Sequence, residues 1–96
     1  MDKNAYIQEI EQQLQQWQDD IYKFRVIAEA EEKELDHQIT EYQTIEDIQT
    51  KKKAVEDKLN ALKDADGEQT PGIIQEIELL AQQVTEAITS ARTKVN

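Results

Sequence analysis

Ninety-six residues carry 21 acidic against 11 basic side chains, a formal charge of −10, with 38% apolar and only 5% aromatic residues and no cysteine. Such a chain builds one small domain (1–96) with a thin core. The acidity disfavours phosphate backbones and anionic bilayers, and the missing cysteines exclude disulfides, thiolate catalysis and zinc–thiolate sites.

The charge is unevenly spread. Residues 1–50 hold 13 acids against 4 bases, and residues 51–96 hold 8 acids against 7 bases. No stretch joins basic residues to a long apolar run, so neither a signal peptide nor a membrane span is expected, and the cytoplasm is the expected location.

The first element opens with Asp2 or Asn4 as a candidate cap. Ile7, Ile10, Leu14, Trp17, Ile21, Phe24 and Ala28 then follow at 3-4-3-4-3-4 spacing, a heptad seam. Leu35, Ile39, Tyr42 and Ile45 keep an apolar face, but at 4-3-3 spacing. Such a slip changes supercoil winding and need not end a helix. A second seam runs Ile48, Lys52, Val55, Leu59, Leu62, with one lysine intruding.

Both glycines, Gly67 and Gly72, and the single proline, Pro71, fall within six residues, which predicts the one loop at about 66–71. Gly67 suits a left-handed position after a helix, and Thr70-Pro71 suits an N-cap with proline in the first turn. The last element repeats the heptad rule through Ile74, Ile77, Ala81, Val84, Ile88, Ala91 and Val95.

With no glycine, proline or Asn-rich cluster near 36–44, the pattern predicts an all-α fold with one long helix over about 3–65. A C-terminal helix over about 71–95 folds back antiparallel on it. The alternative is a three-helix bundle with a turn near 36–44. In the long-helix arrangement the last helix covers Tyr42 to Leu62 only. Val55, Leu59, Leu62, Ile74, Ile77, Val84 and Ile88 are then the intrachain packing set. Ile7, Ile10, Leu14, Trp17, Ile21 and Phe24 are left for a second chain, since exposing each forfeits about 1.5–3 kcal/mol. A homodimeric coiled coil, antiparallel by preference, is the resulting expectation.

Reactive chemistry has little support. His37 with Glu34 and Glu41 gives too few convergent ligands for a metal site and reads as solvated surface. Asp19-Asp20 and Glu31-Glu32 point about 100° apart along a helix, and Ser90 has no base set beside it by sequence. Lys51-Lys52-Lys53 is too short for a nucleic-acid patch, and Lys52 is expected to reach out of its seam to water. No catalytic residue, cofactor or metal is expected.

The opening Asp2-Lys3-Asn4-Ala5-Tyr6-Ile7 is followed by Leu14-x-x-Trp17-x-x-Asp20-Ile21, Tyr42-x-x-Ile45-Glu46-Asp47-Ile48 and Lys58-Leu59-x-x-Leu62-Lys63. Together they resemble a group of short bacterial coiled-coil proteins, common in cyanobacteria and proteobacteria and loosely labelled stress-response proteins. The resemblance covers roughly residues 2–66. After Gly67 that group tends to carry a tryptophan and acidic residues, where this chain has Gln69-Thr70-Pro71-Gly72-Ile73. It implies a non-enzymatic, cytoplasmic coiled-coil protein.

The function expected is therefore self-association or interaction through coiled-coil seams, as in a stress-linked scaffold or adaptor. Two competitors belong to other classes. One is an acidic decoy that imitates nucleic acid toward basic protein surfaces, and the other is an amphipathic coat on lipid or polymer granules.

Overall fold

The computed structural model describes residues 3–30 and 35–95, with side chains for 3–29 and 40–92. It is all-helical over these residues, with α1 at Lys3–Ala30, α2 at Leu35–Asp64 and α3 at Thr70–Val95. No strand occurs among the described residues.

The helices form an up-down-up bundle of 52 × 18 × 17 Å. Lys3 at the start of α1 lies against the end of α2, donating to the carbonyl of Ala65 at 2.7 Å. Lys63 of α2 pairs with Glu11 of α1 at 3.3 Å, so α1 and α2 are antiparallel. Lys58 of α2 meets Glu76 of α3 at 2.8 Å, while Arg92 near the end of α3 meets Asp20 of α1 at 3.5 Å. The third helix thus runs parallel to the first and antiparallel to the second.

This architecture corrects the long helix over 3–65. A 63-residue helix would extend about 95 Å at 1.5 Å per residue, nearly twice the longest dimension observed. The three-helix alternative fits, but without its turn near 36–44, because α2 is helical from Leu35 across that stretch. The joining residues 31–34 lie outside the described residues. The physical reason is burial. Doubling back lets the α1 seam pack on its own chain, and that gain outweighs the helix-forming character of a connection lacking Gly or Pro.

The core is built from the three heptad seams. Ile7, Trp17, Ile21, Phe24 and Ala28 come from α1, with Ile10 and Leu14 partly buried beside them. From α2 come Ile45, Ile48, Val55, Leu59 and Leu62, and from α3 Ile77, Val84, Ile88 and Ala91. Ile74, Ala81 and Leu80 pack against this cluster from its margin. The expected intrachain set from Val55 to Ile88 therefore sits together, with only Ile74 less than fully covered.

The second seam departs from expectation at its beginning. Stepping back from Ile45 in strict heptad order reaches Glu41, and Glu41 is buried at 7% exposure while Tyr42 is 42% exposed. Helix geometry, not side-chain polarity, sets which position faces inward. Lys52 departs from the expected reach to water: its side chain is 15% exposed and its ammonium pairs with Glu56 at 2.7 Å one turn on.

The loop between α2 and α3 closes without left-handed backbone, and neither glycine has a positive φ. The expectation of a left-handed Gly67 is replaced by a tightened helix end, Ala65 N–H donating to the Leu62 carbonyl at 3.2 Å. The Asp66 carbonyl then accepts from the backbone N–H groups of Gln69 and Thr70, both at 3.2 Å, and from Thr70 Oγ1 at 2.9 Å. Thr70 thus spends its hydroxyl backward instead of capping α3. The first bond of α3 runs from Ile73 N–H to the Gln69 carbonyl at 3.2 Å, which leaves Pro71 in the first turn, where no N–H is needed.

Candidate functional site

The three interhelical faces are packed unequally. α2 lies along both of its neighbours, whereas α1 and α3 touch each other least. Between these two parallel helices runs an open groove of about 700 Å³.

Heptad geometry explains its walls. On α1, Tyr6, Gln13 and Asp20 recur every seven residues on the flank that faces α3. Ala81, one of two alanines in the α3 seam, lines the groove together with Ile10 and Trp17 of α1. Gln12, Gln16 and Gln82 line the upper walls, with Glu9 on one side and Glu78 on the other.

A narrower stretch, about 180 Å³, continues past Trp17 and shares Gln13, Gln16 and Thr85 with the first. It ends at the Arg92–Asp20 pair. From Tyr6 to Asp20 the groove follows about 21 Å of helix. No lysine or arginine lines the wide stretch among the described residues, and Arg92 stands only at the far end.

Tyr6 is the unusual member of the lining. It is 5% exposed, and its hydroxyl is buried with no hydrogen-bond partner. Burial pushes the phenol pKa above its ordinary value of 10.0, and the negative charges of Glu78 and then Glu9 push it further. Two carboxylates from different helices therefore act on one buried hydroxyl.

The residues expected to meet a second chain lie mostly in the core. Ile7, Trp17, Ile21 and Phe24 are covered by their own chain, at 8%, 2%, 1% and 6% exposure, and Ile10 and Leu14 pack against the same core. The premise that this seam has no partner within the chain is corrected by α2 and α3, which cover it. Only Ile10 and Trp17 of the six also line the groove.

Of the candidate metal face, Glu34 and the side chain of His37 lie outside the described residues, while Glu41 turns into the bundle instead of facing water. No group of three or more His, Cys, Asp or Glu side chains able to hold a metal occurs among the described residues. Ser90 borders a shallow cavity with Thr44 and Asp47. Lys51 and Lys52 are engaged with Asp47 and Glu56 one turn away.

Sequence reasoning passed over Tyr6 as a site residue because it lies beside the seam and not on it. Its seven-residue relation to Gln13 and Asp20 was the available signal, but which flank of α1 would face a parallel neighbour depended on the bundle's topology. No helix among the described residues is long and apolar enough to cross a membrane. The chain matches no protein-family model, no curated protein and no solved structure.

Proposed function

We propose that this chain is a non-enzymatic helix–helix interaction module, of the scaffold or adaptor kind, whose docking surface is the groove between α1 and α3. The observation that carries this reading is the unequal packing of the bundle. The α1–α3 contact is the sparsest of the three, and it leaves a groove open over an apolar floor of Ile10, Trp17 and Ala81.

An added helix lying along this groove would complete a four-helix arrangement and remove the floor from water. Self-association is one way to supply that helix. It would use the groove, and of the six seam residues only Ile10 and Trp17, which line it, since Ile7, Ile21 and Phe24 are already covered. The exposed side chains Tyr22 and Val26 lie one turn apart on α1, and Tyr42 and Leu79 are exposed on α2 and α3; none of the four lines the groove.

The test uses Trp17, the only tryptophan, which lines both stretches of the groove. Sedimentation equilibrium over a concentration series is combined with Trp17 emission, alone and with amphipathic helical peptides that lack tryptophan. Occupation by a second copy or by any such peptide supports the reading. A chain that stays monomeric and whose Trp17 emission answers to none of them would falsify it.

A further inference from the structure

We propose that the groove between α1 and α3 takes one cationic amphipathic helix from another protein, with a guanidinium or ammonium group seated between Glu9 and Glu78 over the Tyr6 hydroxyl. The inference rests on the helix-docking reading and adds to it the chemical class of the partner.

Three observations converge. The groove is elongated, following about 21 Å of helix from Tyr6 to Asp20, which suits four turns of a helix better than a compact ligand. Its floor is apolar, while its wide end carries two carboxylates and no lysine or arginine among the described lining residues. The Tyr6 hydroxyl is buried without a hydrogen-bond partner, on the same lining as those carboxylates.

A buried hydroxyl left unmatched is costly, and the group that satisfies it must also tolerate two adjacent negative charges. A guanidinium satisfies the Tyr6 oxygen as an acceptor and neutralises the two charges, while the Tyr6 O–H is left to donate to Glu9 or Glu78. The guanidinium donates to the Tyr6 oxygen and to both carboxylates through separate N–H groups. Glu9 and Glu78 are exposed side chains and can rotate to admit it. The leucine-type face of the same helix covers Ile10, Trp17 and Ala81, as expected of helix-in-groove recognition. A second copy suits the groove less well, because each chain carries −10 and like charges oppose the approach.

The experiment titrates the full chain with a helical peptide of about 16 residues, on the order of 24 Å long, bearing leucine at heptad a and d positions and arginine at e and g. Trp17 emission is the readout. A second peptide replaces every arginine with glutamate. Three variants accompany the wild type: Tyr6→Phe, the double change Glu9→Gln with Glu78→Gln, and a control, Glu46→Gln with Asp57→Asn. The control removes the same charge from exposed positions on α2 outside the groove.

The expected result is saturable binding of the arginine peptide, weakened roughly tenfold or more by the groove double change and severalfold by Tyr6→Phe. The control should move it by less than about threefold at physiological ionic strength. Equal weakening by the control would reduce the binding to diffuse charge attraction and overturn the proposal. Equal or tighter binding of the glutamate peptide, or occupation by a second copy, would overturn the cationic partner and leave helix docking standing. No response to either peptide, with a monomeric chain, would overturn both.

Discussion

Lys3 donates its ammonium to the backbone carbonyl of Ala65 at 2.7 Å, across 62 residues of sequence, and the Lys63 carbonyl lies 3.5 Å away. The first residue of α1 thereby caps the end of α2. Carbonyls at a helix C-terminus lack intrahelical donors and carry the negative end of the macrodipole, so a cation there is favoured twice over. Lys3→Met should lower unfolding free energy by about 1 kcal/mol, with a smaller difference at high salt, in urea melts followed by circular dichroism. An unchanged midpoint would mean the contact contributes nothing in solution.

Tyr6 should show itself in alkaline solution. Its folded-state pKa is raised above 10.0, chiefly by burial and then by Glu78 and Glu9, so the fold holds the neutral phenol. The unfolded chain ionises first. The contribution is fully present below pH 10.0 and is lost as pH rises through the raised value. Urea melts of wild type and Tyr6→Phe across this window should diverge, with the wild type falling more steeply. Near neutral pH, removing an unmatched buried hydroxyl should leave stability equal or raise it by about 1 kcal/mol.

The seam change Trp17→Glu with Ile21→Glu separates a core from a dimer interface. Both residues are within 2% of full burial in a single chain. Burying two unpaired carboxylates is beyond what a small bundle tolerates. Loss of helical signal at every protein concentration is expected. A variant that remains helical and merely changes from dimer to monomer would restore the intermolecular role for this seam.

Core truncation should be costly in proportion to burial. Ile48, Val55, Leu62 and Ile77 are all at 0% exposure. Leu62→Ala or Ile77→Ala should each cost about 2–5 kcal/mol by chemical denaturation. Leu79→Ala, on a side chain 58% exposed, should stay within about 0.5 kcal/mol.

The loop glycines should accept a methyl group. Neither has a positive φ, and a Cβ built at Gly67 or Gly72 meets nothing within 4 Å. Gly72 lies in the first turn of α3, so Gly72→Ala should stabilise by about 0.5–1 kcal/mol through reduced freedom of the unfolded chain. Gly67→Ala should be neutral or mildly stabilising, whereas a left-handed Gly67 would have made it destabilising.

The sequence alone determined the helical class, the loop around Gly67 and Pro71, and nearly all of the core. Heptad spacing is a local property of one helix, and Ile7 through Ala28 and Ile74 through Ala91 display it without reference to any neighbour. Glu41 escaped because its polarity masked a register that geometry enforces. What only the tertiary structure decided was the partner of each seam and the flank each helix turns toward another. The stretch before Leu35 contains no glycine or proline, so nothing local opposes a longer helix, and the chain doubles back because the first seam is buried on the other two. That fold sets α1 parallel to α3, places Tyr6 and Glu78 on one groove, and leaves between these helices the sparsest of the three contacts. Such a relation between residues 72 apart arises from packing, which no local spacing encodes.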